Sequence, residues 1–312
     1  MRIVFAGTPE LAVPALRQIS ARYTVCGVLT GTDKAAGRGK QLAASPVKAA
    51  AVELGLNLYQ PVKFDKAFCE TIAALEPELL VVVAYWKIFP SSFLAIFPGG
   101  GINLHPSLLP AFRGASPIPA AILSGASRWG ITVQQLALEM DAGDILLQES
   151  FPLEGHETTE SLMKASGEHG AGMLVKVIGE LEAGRAKGVP QDHQAATYCS
   201  LIRKEDGVID WQEPAAVIDR KIRAFFPWPK AFTFFRGKRL VIHAASLYAG
   251  HIETAGVSPG TIMALDKKTG LLVQTGSGVL AITKMQLQAK KTVDYRAFAN
   301  GQKEVVGSVL GA

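Results

Sequence analysis

Asn103 and His105 stand two residues apart in a short apolar segment, 101–105, and their side chains are the first candidates for chemistry. Because successive side chains of a strand alternate between its faces, a strand over 101–105 would place both on one face. There, a carboxamide can donate a hydrogen bond to a developing oxyanion, and an imidazole can move a proton. The spacing also allows a structural role, in which Asn103 bonds loop backbone and His105 packs in the core.

A third candidate is Asp141, which begins the run 141–144 (DAGD). A carboxylate near His105 could orient the imidazole and favour its charged form. Asp and Gly are also common turn residues, so the run is compatible with an ordinary turn before the strand expected at 143–149.

Two other kinds of chemistry find no support in the sequence. The first predicted strand–helix turn, residues 6–9 (AGTP), lacks the G-x-G-x-x-G pattern of dinucleotide-binding folds. Cys26, Cys69 and Cys199 are odd in number and far apart, which argues against a disulfide framework or a zinc site and favours a reducing compartment. We therefore expect no metal ion in the reaction.

Strands and helices must alternate along the first part of the chain to position these residues. Expected strands are 2–7, 23–30, 79–85, 101–105, 129–136 and 143–149, and expected helices are 46–55, 65–75, 116–124, 158–183 and one starting at Thr8-Pro9 with Thr8 as its cap. This order predicts an α/β fold with a doubly wound, mostly parallel sheet. Residues 103 and 105 then lie at the carboxyl end of a strand, where open α/β sheets bind ligands.

The chain divides into domains at 1–185 and 203–312, joined by a predicted linker at 186–202 that lacks periodicity. In the second domain a helix at 213–225 leads into short strands, with turn signals at 237–238, 268–270 and 276–278. Several short strands within about 100 residues predict a small β-barrel.

The composition limits the class of protein. Of 312 residues, 48% are hydrophobic and 19% are charged, which provides a sizeable core and excludes global disorder. A transmembrane helix is excluded, because no run of about 18 apolar residues occurs. With no transit peptide visible, the expected location is a bacterial-type cytoplasm.

Charge is distributed unevenly between the two predicted domains. Residues 203–312 contain 16 Lys and Arg against 9 Asp and Glu, whereas residues 1–202 contain 16 against 18, so the balances are +7 and −2. A basic domain beside a nearly neutral one suggests a polyanionic partner. A lysine-rich soluble surface would give the same count.

The motifs around the candidate residues resemble those of the formyltransferases that use 10-formyltetrahydrofolate. The resemblance rests on residues 103–110 (NLHPSLLP), 113–115 (RGA) and 141–144 (DAGD), and it covers nearly the whole chain. It implies a Rossmann-like catalytic domain followed by an OB-like β-barrel, and a catalytic triad of Asn103, His105 and Asp141.

The same resemblance implies a site for the folate formyl donor. It assigns the loop Ser107, Leu108, Leu109 and Pro110 to folate binding, and Trp86, Ile88 and Phe89 to the lining of the pterin pocket. The family often has Gly where this chain has Trp86, so that side chain either reshapes the pocket or points away.

Residues 37–48 (GRGKQLAASPVK) resemble the loop that family members acting on methionyl-tRNA insert into the acceptor arm. This resemblance implies that Arg38 and Lys40 contact tRNA, and that a basic patch including Arg223, Lys238 and Arg239 holds phosphates without reading sequence. Some of these side chains could instead pack their stems on the barrel.

The implied function is transfer of the formyl group of 10-formyltetrahydrofolate to the α-amino group of methionyl initiator tRNA, for translation initiation. Three alternatives remain open: a formyltransferase acting on an amino-sugar nucleotide, a non-catalytic RNA-binding relative, and a hydrolase of the same folate. The implied partners are charged initiator tRNA and the folate, with no metal and no membrane. The sequence leaves the oligomeric state open, a monomer included.

Overall fold

The computed structural model describes residues 1–36 and 41–311, which form two compact units. Unit 1 consists of Met1–Pro117, Arg128–Pro152 and Ser161–Ser200, and unit 2 of Ile118–Ser127, Leu153–Glu160 and Leu201–Ala312. Residues 186–200, most of the predicted linker, therefore belong to unit 1. Arg38 and Lys40 lie outside the described residues.

A mostly parallel sheet forms the centre of unit 1. In chain order, the strands of this unit are β1 (Arg2–Gly7), β2 (Thr24–Leu29), β3 (Lys34–Ala36), β4 (Gln41–Ala43), β5 (Leu58–Tyr59), β6 (Leu79–Val83), β7 (Gly101–His105), β8 (Arg113–Gly114), β9 (Arg128–Gln135), β10 (Ile145–Pro152) and β11 (Tyr198–Cys199). The central sheet has the order β10-β9-β7-β6-β1-β2-β5, in which β9 runs antiparallel to both of its neighbours, β10 and β7, and the other neighbouring pairs are parallel. The predicted α/β sheet is confirmed.

Helices separate most of these strands. The α-helices of the described residues are α1 (Val13–Ser20), α2 (Pro46–Glu53), α3 (Lys66–Ala73), α4 (Ser91–Leu94), α5 (Pro117–Ser124), α6 (Thr159–Glu182), α7 (Ala215–Ala224) and α8 (Tyr295–Asn300). None of the helices in the described ranges has the length and apolarity needed to cross a bilayer.

The start of the first helix differs from the prediction. Thr8 does not cap a helix, because a 3₁₀ turn at Glu10–Ala12 comes first and α1 begins only at Val13. The Thr8 hydroxyl instead accepts a hydrogen bond from the Gly31 amide at 3.3 Å, so it joins the ends of two neighbouring strands.

The core of unit 1 follows from its apolar runs. All five residues of β6 are buried, as expected for a parallel strand covered on both faces. On the next strand, β7, the alternation buries Ile102 and Leu104 on one face and leaves Asn103 and His105 for the other.

Unit 2 contains an antiparallel half-barrel. Its strands are β12 (Phe232–Phe235), β13 (Lys238–Leu247), β14 (Ile262–Asp266), β15 (Gly270–Gln274), β16 (Val279–Leu287) and β17 (Val293–Asp294). They pair in the order β12-β13-β16-β15-β14, with β17 added to β16. All three predicted turns connect hairpins of this sheet, and at the first of them Arg236 and Gly237 both have positive φ, which suits a two-residue hairpin loop.

Residues 308–311 lie between the two edges of the half-barrel. The Gly311 amide donates to Phe234 O of β12 at 2.8 Å, and the Ile262 amide of β14 donates to Ser308 O at 2.9 Å. The interior is filled by buried aliphatic and aromatic side chains, among them Trp211, Ile218, Phe235 and Leu280.

Candidate active site

The carboxyl end of β7 carries the two candidates that the sequence places on one face. Asn103 lies opposite Val82 of β6 and Gln134 of β9, and His105 lies opposite Thr132. His105 is buried, with 5% of its surface exposed, whereas Asn103 is only partly buried. The Asn103 side chain makes no hydrogen bond to any described residue, so its amide can bind an incoming group.

Both nitrogens of the His105 ring face oxygen atoms. Nε2 lies 2.9 Å from the carbonyl oxygen of Phe112, and Nδ1 lies 3.5 Å from Oδ1 of Asp141. A carbonyl and a carboxylate both accept hydrogen bonds, so the ring lies between two acceptors. The structure thus brings His105 and Asp141 together, 36 positions apart in the sequence, around a ring that can carry a proton.

Asp141 is fixed by its neighbours as well as by its own backbone. Its Oδ2 accepts a hydrogen bond from the Gly114 amide at 2.8 Å, and Oδ1 accepts one from Gln134 Nε2 at 3.1 Å. The residue has φ of 54°, in the left-handed region that Asp tolerates better than most residues. A turn residue would need none of these contacts, and together they aim the carboxylate at His105.

The predicted folate loop, 107–110, is supported from β9 and β10. The Thr132 hydroxyl donates to Ser107 O at 2.7 Å, and Gln148 Nε2 donates to Leu109 O at 2.9 Å. Ser107 and Leu109 are buried, while Leu108 and Pro110 are partly exposed. The four residues therefore divide into two that are buried and two that are partly exposed, and of the latter Leu108 packs its side chain against Gly130 of β9.

The residues predicted to line a pterin pocket also divide. Trp86 and Ile88 expose 57% and 80% of their surface. The Phe89 ring instead packs among other aromatic rings, with its centroid 5.3 Å from that of Tyr85 and 5.4 Å from that of Phe93. The Trp86 ring lies close to Gly31, where an added Cβ would come within 2.9 Å of Nε1. The same packing buries Tyr85, the ring that stacks on Phe89, and this burial raises the pKa of Tyr85 to about 12.

The side chains of unit 2 that are predicted to contact tRNA differ in exposure and in the contacts they already make. Lys238 is exposed at the β12–β13 turn. The Arg239 guanidinium stacks 3.7 Å above the Phe232 ring. Arg223 pairs with Asp219 at 2.9 Å and donates to Glu157 O at 3.1 Å, so its Nε and one N–H of Nη1 are already used.

Gln134, Thr132 and Gln191 support the site but were not singled out from the sequence. The first two are polar residues spaced two apart in the apolar strand 129–135, and this alternation is a usable signal. Gln191 stands in a segment without periodicity, so the sequence carries no signal for it. Within the described ranges, no three His, Cys, Asp or Glu side chains gather in a way that could hold a metal ion.

Comparison with known proteins assigns the chain to a family. Residues 1–178 match the formyl transferase family model, and residues 201–303 match the model of the formyl transferase C-terminal domain. The chain belongs to the formyl transferase family. It is 45% identical to the methionyl-tRNA formyltransferase of Treponema denticola, over 97% of this chain and 98% of that protein. It is 43% identical to the enzyme of Treponema pallidum, strain Nichols, over 100% and 99%.

Solved structures share the fold at lower identity. The methionyl-tRNA formyltransferase from Clostridium thermocellum superposes with a TM-score of 0.56 at 21% identity, over 80% of this chain and 95% of that one. HypX from Aquifex aeolicus in complex with tetrahydrofolic acid gives 0.63 at 19%, over 98% and 48%. The sugar 3N-formyl transferase WlaRD gives 0.68 at 18%, over 93% and 99%. At these identities the likeness concerns the fold alone.

Proposed function

We propose that this chain transfers the formyl group of 10-formyltetrahydrofolate to the α-amino group of methionine esterified to initiator tRNA. The observation that carries the proposal is the sequence identity of 43–45% to methionyl-tRNA formyltransferases along nearly the whole chain, combined with one site that holds Asn103, His105 and Asp141. The activity would serve translation initiation in the bacterial cytoplasm.

Asn103 would stabilise the charge that develops during transfer. When the amine attacks the formyl carbon, negative charge grows on the formyl oxygen. A fixed donor at that oxygen lowers the barrier because it binds the transition state more strongly than the ground state. Asn103 suits this role, because its amide is partly exposed and bonds no described residue.

His105 and Asp141 would assist the transfer of the amine proton. A C–N bond forms to the amine and the bond from the formyl carbon to the folate nitrogen breaks, while one proton moves from the amine to that leaving nitrogen. Asp141 would relay this proton through His105 or through a water, since the carboxylate lies 3.5 Å from the ring. The step needs neither oxidant nor reductant.

The partly exposed residues of the folate loop and the exposed side chains of Trp86 and Ile88 would contact the donor. Leu108 and Pro110 are accessible, whereas Ser107 and Leu109 anchor the loop from inside. Trp86 offers a flat apolar face of the kind that heteroaromatic rings pack against.

The basic second unit would hold the tRNA backbone. Its segment 203–312 carries the +7 excess, while the proposed reacting groups lie before it. Lys238 is free to contact phosphate, and Arg38 and Lys40 are proposed to guide the acceptor end toward the site.

A three-substrate assay tests the proposal. The purified chain and 10-formyltetrahydrofolate are incubated with charged initiator methionyl-tRNA, with an amino-sugar nucleotide, or with buffer alone. We expect formylmethionyl-tRNA only. Formylation of the sugar, release of formate without acceptor, or no reaction would each overturn the proposal in favour of the corresponding alternative.

His105→Ala serves as the variant for this assay. Removing a positioned acid–base group should lower the rate of transfer by about 10²–10⁴-fold. Folate affinity, measured by equilibrium binding, should change little, because the ring is buried behind the loop. Near wild-type turnover in this variant would show that His105 is only a packed core residue.

A further inference from the structure

Gln191 lies in the segment 186–202, which the sequence predicts as a linker, yet 6% of its surface is exposed. Its Nε2 donates to Gly143 O at 2.7 Å and to Asp141 O at 2.9 Å, with Gln134 Oε1 at 3.2 Å. One amide thus contacts three points on the polypeptide that carries and supports the Asp141 carboxylate.

Arg113 fixes the orientation of that amide. Its Nε and Nη2 both donate to Gln191 Oε1, at 3.2 Å and 2.8 Å, and its side chain is completely buried. An arginine has no acceptor, so the oxygen end of the amide must face Arg113 and the NH₂ end must face Asp141 and Gly143.

Neighbouring residues of the same segment support the other side of His105. The Phe112 amide donates to the Thr197 hydroxyl at 2.9 Å, and the Arg113 amide donates to Thr197 O at 2.8 Å. These bonds hold Phe112 at φ of 60°, with its carbonyl on His105 Nε2, and they hold the Gly114 amide on Asp141 Oδ2. The segment 191–199 therefore supports both oxygens that face the imidazole.

We propose that Gln191 is a positioning residue for the transfer reaction: anchored by Arg113, it fixes the backbone at Asp141 and so keeps the carboxylate aimed at His105. This inference rests on the proposed function. Gln191 contacts neither the ring nor the open side chain of Asn103. Its effect must pass through Asp141, and this gives it a kinetic signature.

Gln191→Glu isolates the donor end of the side chain. A carboxylate keeps the shape and still accepts from Arg113, but it has no N–H for Asp141 O and Gly143 O. Because misplacing a reacting group by about 1 Å can cost about 10²-fold, we expect kcat to fall about 10- to 100-fold. KM for the formyl donor should stay within about twofold, since the folate loop is held by Thr132 and Gln148 instead.

The variant is compared with a matched control and a double mutant. Gln194→Ala changes an exposed glutamine three positions along and should leave kcat unchanged. In the background of Asp141→Asn, Gln191→Glu should cost no more than about twofold, because residues that act as a unit are not additive. Gln191→Met, similar in shape and without a donor, should reproduce the loss if the added carboxylate lowers the yield of folded protein.

Three results would overturn the proposal. The first is an unchanged kcat, and the second is a loss of kcat that adds fully to that of Asp141→Asn. The third is a loss of kcat accompanied by weaker folate binding and a lower melting temperature, which marks a merely structural role. Failure of the proposed function is distinguishable, because the unaltered chain would then not formylate methionyl-tRNA. Failure of this inference leaves that transfer and its dependence on Asp141 intact.

Discussion

Asp141 shows how a common turn residue becomes a candidate catalytic group. Its two oxygens accept from the Gly114 amide and from Gln134, and the lone pairs that remain face His105. The surrounding groups therefore approach the carboxylate as hydrogen-bond donors or as a possible cation, which suits a carboxylate that stays ionised. This arrangement supports the proposed role of Asp141 beside His105, which substitution at Asp141 tests against the turn interpretation.

Asp141→Asn should lower turnover about as strongly as His105→Ala. The substitution removes the charge opposite the ring, and one end of the new amide is an NH₂ group that faces a donor, Gly114 N or Gln134 Nε2. The measurement is the single-turnover rate of formyl transfer for both single variants and the double variant. If the two residues act together, the double variant is no worse than the poorer single variant.

Asp144→Asn is the control for that series. Asp144 ends the same motif, but it has no described contact with His105, so the effect of its substitution should be much smaller. Equal effects at Asp141 and Asp144 would indicate that the motif matters only as a turn.

Tyr85 carries a buried hydroxyl that makes no hydrogen bond within the described residues. Leaving such a group unpaired is unfavourable, so Tyr85→Phe should raise the free energy of unfolding at neutral pH by about 1 kcal/mol. Its ring should still stack on Phe89. Denaturant titration of both proteins at pH 7 measures the difference, and a clear loss of stability would show that the hydroxyl is satisfied.

The same residue predicts a pH dependence. Burial raises the pKa of Tyr85 to about 12, so the folded chain holds this proton more tightly than the unfolded chain does. Ionisation of Tyr85 therefore leaves the free energy of unfolding unchanged below about pH 10, the ordinary tyrosine range, and lowers it as the pH rises toward 12. Tyr85→Phe should decline less steeply over that window, and parallel curves for both proteins would contradict the assignment.

At the scale of elements, the loop between β9 and β10 depends on the close approach of Gly143 to the backbone of Gln135. A Cβ on Gly143 would lie 1.9 Å from Gln135 O, so no other residue fits without moving the backbone. The Gln135 amide donates to Asp144 O at 2.9 Å across the same gap. The glycine of the motif is thus needed for packing, and the aspartate before it depends on that packing for its position.

Gly143→Ala should lower the free energy of unfolding by about 1–3 kcal/mol, as overpacking usually does, and should reduce turnover as Asp141 moves. Gly172→Ala provides the matched control. Gly172 is exposed in the long helix α6 with open space around it, and there alanine should stabilise by about 0.5–1 kcal/mol with no change in activity. Thermal and denaturant unfolding together with a transfer assay separate the two outcomes, and equal effects at both glycines would contradict the packing argument.

On the scale of the whole molecule, the charge balance predicts how substrate binding responds to salt. Neutralising the exposed Lys238 should weaken tRNA binding modestly and reduce the salt slope by roughly one for each phosphate that the lysine no longer neutralises. Neutralising Arg38 should lower transfer sharply while leaving folate affinity intact, because it is proposed to place the acceptor end. Affinity and transfer rate are measured across a salt series.

Arg223 provides a contrast with these two residues. It is paired with Asp219 and bound to Glu157 O, so Arg223→Ala should lower the free energy of unfolding as well as tRNA affinity. Lys238→Ala should leave unfolding unchanged. Salt-independent tRNA binding, or a dispensable Arg38, would favour a small amino-sugar substrate instead.

The amino-acid sequence by itself determined the local features of this protein. The apolar run 79–85 became a buried strand over its first five residues, and the turn signals at 237, 270 and 278 became hairpins. The i, i+2 spacing put Asn103 and His105 on one face of β7. These features depend on a residue and its near neighbours, so periodicity and turn chemistry are sufficient to predict them.

Only the tertiary structure decided how distant segments meet. The pairing of β7 with β9 brings Gln134 beside Asn103, and the return of the chain after α6 brings Gln191 against Asp141. The same packing leaves Trp86 exposed and turns Phe89 inward. Buried polar contacts of this kind depend on atoms far apart in sequence reaching hydrogen-bond distance, and no local pattern of residues encodes that.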